Sequence, residues 1–343
     1  MLKIDRYEFS TLHVKKKHQS SFFRDIIGSF YNILVDEDQG EGFDSAETVW
    51  VLGDFKVFKA RQESYFKSRP GLSADRAEPQ LKISFCERSH GITISGDEAA
   101  GWNPSDVVFD CMANRMVWHA LNTTQEISII VPCRDVGYDP VHHEPLIVYP
   151  AASPVARAIR ACAPVIIDAL EQNDPVYAKL LLDGFCHLVR SLFGSQHPEP
   201  DHAGAQALKL RAILRFIDQH LFDPALSPAQ LCKSFGVSRA ALYRLFEAYG
   251  GVADHIRNRR LDRAYAQIIG LQQSRSNISA IAGDLGFYDH AHFSHRFKDR
   301  FGFAPRDLVD FCARRTRPLH QRAASNDNDH PAFIDLIAGP GGA

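Results

Sequence analysis

Two stretches in the C-terminal third of the chain repeat one another, and this repeat restricts the fold more than any other feature. Leu231-Cys232-Lys233-Ser234-Phe235-Gly236-Val237-Ser238 precedes a helical stretch from Arg239 to Tyr249. At an offset of 50 residues, Ile281-Ala282-Gly283-Asp284-Leu285-Gly286-Phe287-Tyr288-Asp289 precedes a second stretch from His290 to Phe301. Leu231 aligns with Ile281, Phe235 with Leu285, Gly236 with Gly286 and Val237 with Phe287. The offset then becomes 51, aligning Ser238 with Asp289, Leu242 with Phe293, Phe246 with Phe297 and Gly251 with Gly302. A glycine closing a helix takes the left-handed conformation at low cost. Ser238 and Asp289 stand where an N-cap belongs, and Ser227-Pro228-Ala229-Gln230 is a capping box with proline at the first helical position. Asn277 is placed to cap the matching helix of the second unit. Each unit therefore reads as helix, glycine turn, helix.

Between the units, Val252 to Gly270 reads as one long helix with Ile256, Leu261, Ala264, Tyr265 and Ile268 on its apolar side. At 1.5 Å per residue it spans about 28 Å. Major grooves on one face of B-DNA recur every ~34 Å. Such a spacer can present two second helices to neighbouring grooves. Charge agrees: the net charge of −2 conceals a segment, Ala207 to Arg322, with 19 Lys and Arg against 10 Asp and Glu. The remainder carries 20 against 31. Only the basic part suits a polyanion.

The segment from about Leu208 to Arg317 resembles the AraC family of bacterial transcription regulators. The likeness is carried by Leu231, Gly236-Val237-Ser238, Leu242-Tyr243-Arg244-Leu245-Phe246, Ile256, Arg260-Leu261 and Ala264. It continues through Ile278, Ile281-Ala282, Leu285-Gly286-Phe287, His292-Phe293-Ser294, Phe297-Lys298, Phe301-Gly302 and Pro305. Two positions depart from the pattern. His295 stands where arginine is common, and Ala304 replaces the usual serine or threonine before Pro305, which weakens the cap of the last helix.

The N-terminal part has other textures. From about Val49 to Pro132 apolar residues alternate, as in Leu81, Ile83 and Phe85, then Ile92 and Ile94, then Ile127, Ile129 and Val131. That is the period of half-buried strands, and the turns between them suggest a sandwich or barrel. Ile92 to Gly96 followed by Asn103-Pro104-Ser105-Asp106 is similar to the hairpin and turn of the cupin-like barrel in many such regulators, with Ser105 replacing a glycine. From Pro154 the period becomes helical: Val155, Ile159, Cys162, Ile166 and Leu170, then Leu181, Phe185, Leu188, Val189 and Leu192. These two helices either cover the barrel or form a dimer seam. Phe22 to Val35 reads as a further helix.

The expected fold class is α+β: an N-terminal β-barrel, cupin-like and with accessory helices, then an all-α domain of two helix-turn-helix units joined by a long helix. The expected organisation is an effector-binding or dimerisation domain over 1–194, with its barrel at about 45–150 and helices at about 154–193. A linker over 195–206, a DNA-binding domain over 207–318 and a flexible tail over 319–343 follow.

On the first reading helix Arg239, Ala240, Tyr243 and Arg244 share the side away from the core. Arg244 is the best base reader, because arginine pairs bidentately with guanine. On the second, His290, Ala291, His292, His295, Arg296 and Lys298 crowd the free surface. His292 and His295 have a workable metal spacing, but no cysteine completes a tetrahedral set and DNA contact is the better reading. Lys298, Arg300, Arg257, Arg259, Arg260 and Arg306 are phosphate candidates. Trp50, Phe58, Arg61, Trp102, Arg115 and Trp118 are either effector-pocket residues or plain barrel core and surface. His142-His143-Glu144 lies in a Pro-rich loop without the H-x-H set of a metal-binding cupin. No metal, catalytic residue or cofactor is expected.

Apolar residues at 45% and charged residues at 23% give a chain able to pack cores rather than a disordered one. No run of about 18 apolar residues and no leader-like h-region is present, so neither membrane insertion nor export is expected. Seven scattered cysteines without a CxxC pair fit reduced thiols in a cytoplasmic protein, associated with the nucleoid when bound. Cys86 and Cys111 are redox-switch candidates, with nothing nearby in sequence to activate them. The resemblance implies an effector-responsive activator, with double-stranded DNA, RNA polymerase, a small-molecule effector and a second copy of the chain as partners. Two rivals stay open: a barrel enzyme fused to a DNA-binding module, and an architectural DNA-binding protein without an effector.

Overall fold

The computed structural model describes residues 2–27, 32–34, 42–63, 65–69, 78–96, 98–193, 202–270 and 278–315. Asn277, the tail over 319–343 and most of the linker lie outside these residues. The chain divides into two compact units at Ser195 and Gln196.

The first unit consists of two antiparallel sheets and a layer of helices. In chain order it runs β1 (Asp5–Ser10), α1 (Lys16–Ile27), β2 (Asn32–Leu34), β3 (Ser45–Leu52), β4 (Phe55–Gln62), β5 (Tyr65–Arg69) and β6 (Gln80–Cys86). It continues with β7 (Gly91–Ser95), β8 (Glu98–Trp102), β9 (Val107–Cys111), β10 (Met116–Ala120), β11 (Thr124–Pro132), α2 (Cys133–Val136) and β12 (Leu146–Tyr149). The helices α3 (Pro154–Glu171) and α4 (Pro175–Phe193) close the unit. The larger sheet has the order β1-β3-β4-β11-β6-β9-β12 and the smaller β2-β5-β10-β7-β8. The helix expected over Phe22 to Val35 is displaced: α1 starts at Lys16 and ends at Ile27, and Asn32–Leu34 is a strand. The first turns of α1 are polar, so its apolar spacing gives no sign of where it begins.

The alternation in β6 has an unexpected partner for its polar half. Leu81, Ile83 and Phe85 pack outward, in one core with Ile159, Ile166, Leu182, Phe185 and Val189 of α3 and α4. The opposite face of the large sheet looks at the small sheet, where Cys86 and Val108 pack with Trp102, Met116 and Trp118. Lys82, Ser84, Glu126 and Ser128 lie on that inner face by register and are all buried. Period two therefore separates two buried faces here, rather than a core face from water. Lys82 Nζ donates to Glu126 Oε1 at 2.6 Å, and Ser128 Oγ donates to the same oxygen at 2.7 Å. Lys56 Nζ donates to Gln80 Oε1 at 3.2 Å, and burial draws its ammonium down to about 8 against the pull of Asp54.

The turn over Asn103–Asp106 ties the strands to the helices. Asp106 accepts from Asn103 N (2.8 Å) and from Ala151 N (2.7 Å). Ser105, the residue in place of a glycine, has φ 67°, and its carbonyl accepts from Arg160 at 2.6 Å. Ser153 then caps α3, accepting from Ala156 N, with Pro154 at the first helical position.

The second unit is all helical: α5 (His202–Gln219), α6 (Pro228–Phe235), α7 (Arg239–Leu245), a 3₁₀ turn (Glu247–Tyr249), α8 (Val252–Gly270), α9 (Ile278–Asp284), α10 (His290–Phe301) and α11 (Pro305–Arg315). The bounds of α8 and α10 are those expected from the sequence. Ile213, Ile217, Leu231, Leu242, Phe246, Val252 and Ile256 form one core under the first repeat. The second repeat is aromatic, with Tyr265 of α8 4.9 Å from Phe301, and Phe293 and Phe301 at 5.7 and 4.6 Å on either side of Phe297. Among the described residues no helix is long and apolar enough to cross a membrane.

His255 of α8 packs against the rings of Phe246 (5.4 Å) and Tyr249 (5.1 Å). Burial, then the charges of Arg259 and Arg300, depress its imidazole to about 3. The folded state thus binds a proton less readily than the unfolded chain, whose histidine titrates near 6.5. Stability from the neutral ring is fully present above that value and is lost as pH falls from 6.5 towards 3, at up to about 1.4 kcal/mol per pH unit. We expect urea unfolding of the second unit to show this acid-side loss and His255→Gln to flatten it. In the first unit, Ser105→Gly should relieve the left-handed backbone and stabilise by up to about 1 kcal/mol, whereas Ser105→Val should destabilise by a similar amount. A lower unfolding midpoint for the glycine variant would show that the turn carries no strain.

Candidate nucleic-acid interface

Each repeat builds its second helix in the same way. In the first, Ser227 caps α6, with its Oγ accepting from Gln230 N, and Pro228 starts the helix. Gly236 ends it at φ 59°, a conformation that glycine alone adopts without strain. Ser238 then caps α7 by accepting from Ala241 N at 3.2 Å. In the second, Gly286 (φ 77°) ends the turn, and Asp289 caps α10 by accepting from Ala291 N at 2.8 Å and His292 N at 3.3 Å. A side chain on Gly286 would also meet Arg260, whose Nη1 lies 3.0 Å from where a Cβ would stand.

The cores of the two repeats decide which side chains reach water. Leu242 and Phe246 are buried, so Arg239, Ala240, Tyr243 and Arg244 are exposed on α7. Arg239 lies 5.5 Å over the Tyr243 ring, which holds its guanidinium along the helix surface. Phe293, Phe297 and Phe301 are buried, so His290, Ala291, His292, His295 and Lys298 are exposed on α10, with the Arg296 side chain 42% exposed. Arg296 Nε donates to His292 Nε2 at 3.3 Å. His295 Nε2 lies 3.5 Å from Asp299 Oδ2, and Arg296 Nη1 lies 3.9 Å from the same oxygen.

Three of the six expected phosphate contacts have other work. Arg300 grips Asp262 through two bonds, Nε to Oδ1 at 2.6 Å and Nη2 to Oδ2 at 2.9 Å. Arg259 donates to Asp218 of α5 at 2.6 Å and lies 3.8 Å from Asp262. Arg260 donates to the carbonyls of Leu221 (3.0 Å) and Asp223 (2.9 Å). Arg257 pairs with Asp254, while Lys298 and Arg306 stay on the surface. Asp262, whose side chain is 1% exposed, is the residue that sequence reasoning missed. A lone aspartate amid the apolar positions of a long helix is its only trace in sequence. The weakened cap at Ala304 is also partly mended, because Asp307 reaches back to accept from Ala304 N at 2.8 Å.

The expected effector residues do not converge. Trp102 and Trp118 stack at 5.7 Å between the sheets, and by register Phe58 shares the inner face of β4 with Lys56. Trp50 is buried in the core under the helices, and Arg115 is exposed in the turn before β10. Arg61 lines an open groove of about 830 Å³ on the outer face of the large sheet, with Lys59, Thr48, Gln125, Ile127 and Glu171. Cys111 is held against Cys133, whose thiol hydrogen bond draws it below the usual thiol value while burial pushes the other way.

Residues 231–310 match the model of a helix-turn-helix domain. The chain is 30% identical over 102 residues to the HTH-type transcriptional activator RhaS of Mannheimia succiniciproducens, spanning 29% of this chain and 37% of that relative. It is 29% identical over 102 residues to the XylDLEGF operon transcriptional activator of Pseudomonas putida, spanning 29% and 32%. The chain thus spans about a third of the length of the relatives it matches. It is also similar to the solved structure of the AraC-like transcriptional activator CuxR, at 18% identity and a TM-score of 0.46 over 77% of this chain and 96% of that one.

The buried ion pair at Asp262 is open to test. Asp262→Ala leaves the Arg300 guanidinium without its counter-charge, while Arg259 keeps Asp218, and should cost about 3–5 kcal/mol in urea unfolding. Arg257→Ala, which breaks the exposed pair with Asp254, should cost under about 1 kcal/mol. Equal losses from the two variants would show that Asp262 does not organise the unit.

Proposed function

We propose that the C-terminal unit is an AraC-type double helix-turn-helix domain and that this protein is a sequence-specific DNA-binding transcription regulator that places α7 and α10 in neighbouring major grooves, a reading supported by the match of residues 231–310 to a helix-turn-helix domain. One observation carries the reading. In both repeats the aromatic or aliphatic core takes one face of the second helix, and cationic or hydrogen-bonding side chains take the other. On α7 these are Arg239, Tyr243 and Arg244; on α10 they are His290, His292, His295, Arg296 and Lys298. Ala240 and Ala291, small and exposed near the start of each helix, let the backbone approach the bases. Exposed lysines and arginines supply affinity by counterion release, and the few side chains that reach base edges supply selection.

We assign the first unit a regulatory part, as an effector-binding domain, a dimerisation domain or both. The support is the buried charge between the sheets. Lys82, Glu126 and Ser128 bond to one another on the buried inner face of the large sheet, and Trp102 and Trp118 stack between the sheets, polar and aromatic groups that a plain sandwich core does not need. A bound effector would shift the population of states in which the reading helices are presented to DNA. Activation is the direction suggested by the names of the two relatives, and RNA polymerase is the partner this reading gives it. The names of the relatives favour a regulator over an enzyme, and an architectural role would leave the distinct reading faces without a use.

Binding selections against a randomised duplex test the reading. Wild-type protein should return a bipartite site, and Arg244→Ala should lose discrimination at one base step by about 1–3 kcal/mol while its thermal unfolding stays unchanged. Affinity should fall steeply as salt rises. Uniform coverage of all sequences would favour the architectural role, and a flat salt dependence would remove the electrostatic basis.

A further inference from the structure

Resting on the DNA-binding reading above, we propose that Tyr288 is a phosphate anchor of the second repeat: its hydroxyl donates a hydrogen bond to the DNA backbone at the rim of the groove that α10 enters. Tyr288 is the residue by which the second turn exceeds the first. Val237 aligns with Phe287 and Ser238 with Asp289, so the first repeat has no counterpart to it. The extra side chain points into water: Tyr288 is 84% exposed, against 39% for Tyr243 on α7.

Its backbone is pinned from both sides. Phe287 is buried and meets the Phe293 ring at 5.1 Å, near edge-on. Asp289 is held by its cap bonds from Ala291 N and His292 N. Between these two fixed residues the tyrosine stands immediately ahead of the first turn of α10. A helix that enters a groove by its N-terminal residues brings the residue before its cap up to the sugar-phosphate backbone. Among the described residues the Tyr288 ring makes no ring contact and its hydroxyl no hydrogen bond, so the donor is free for an outside acceptor.

The charge behind the turn suits an anionic acceptor. Arg260 of α8 lies under it, with Nη1 3.0 Å from where a Cβ on Gly286 would stand, and is near enough to Tyr288 for the two to interact electrostatically. Its Nε and Nη2 donate to the carbonyls of Leu221 and Asp223, which hold the guanidinium in place without cancelling its charge. A phosphate accepting from the Tyr288 hydroxyl feels that charge at short range. A protein partner is a poorer match, because the neighbours of Tyr288 in the chain are buried Phe287 on one side and the polar, exposed Asp289 and His290 on the other. No apolar patch surrounds the ring in its turn, as the core of a protein interface requires.

The test is fluorescence anisotropy of the full chain on two labelled duplexes of about 40 base pairs, long enough for both half-sites. One is the sequence that the wild type selects from a randomised pool, the other an unrelated sequence. A phosphate contact carries no sequence information, so Tyr288→Phe and Tyr288→Ala should each weaken binding by a similar factor, on the order of tenfold, on both duplexes. Neither variant removes a charge, so the slope of log affinity against log salt should stay that of the wild type. Ethylating one phosphate at the edge of the second half-site should weaken the wild type and leave Tyr288→Ala as it was. Thermal unfolding of both variants should match the wild type, since the side chain is exposed. Wild-type affinity in Tyr288→Ala overturns the proposal and leaves the tyrosine to a protein partner. Full affinity in Tyr288→Phe overturns it too, because the hydroxyl then does nothing. A loss confined to the selected duplex overturns it in favour of a base contact. If the wild type binds neither duplex, the DNA-binding reading itself falls, so the two failures are told apart.

Discussion

Asp262 is a carboxylate withdrawn from water with guanidiniums closing on it from two directions, and the geometry of the second unit depends on that meeting. Arg300 belongs to α10, the second helix of the second repeat, and Arg259 reaches from α8 to Asp218 beneath the first. The chain of charges Asp218, Arg259, Asp262 and Arg300 therefore runs from one repeat to the other through the connecting helix. Apolar packing alone would let α10 slide or turn by a fraction of a helical step, because dispersion contacts are numerous and individually weak. A bidentate arginine–carboxylate bond fixes both distance and orientation. Burial raises the cost of breaking it, since either partner left alone would be an unpaired charge out of water.

The first unit meets a related problem with a different result. Helices α3 and α4 cover the outer face of the large sheet, so its inner face need not supply the main apolar core. Charged and hydroxyl side chains are then tolerated between the sheets provided that they satisfy one another, as Lys82, Glu126 and Ser128 do. Ser105 carries a further local cost, a left-handed backbone without glycine. Hydrogen bonds at its own carbonyl and at Asp106 hold that turn against the start of α3.

Much of the second unit was legible in the sequence because its signals are local. Gly236 and Gly286, the caps at Ser227, Ser238 and Asp289, and the spacing of Leu242 with Phe246 or Phe293 with Phe297 each act within one or two helical turns. The period of apolar residues told which face of α7 and α10 would be free. The start of α1 was not legible, because its opening turns are polar. The sense of the alternation in β6 was equally hidden: period two separates the faces of a strand without saying whether the polar one meets water or another sheet.

The arginines mark the division most sharply. Helical periodicity and capping, both short-range effects of backbone geometry, determined from the sequence that there are two helix-turn-helix units on a long spacer and which positions their second helices expose. Whether an exposed-looking arginine stays on the surface or braces the fold was decided only by tertiary structure. Arg244 and Arg300 look alike in sequence. What separates them is Asp262, 38 residues from Arg300 along the chain yet hydrogen-bonded to it in the fold, because a charge leaves water only when folding brings its counter-charge to it.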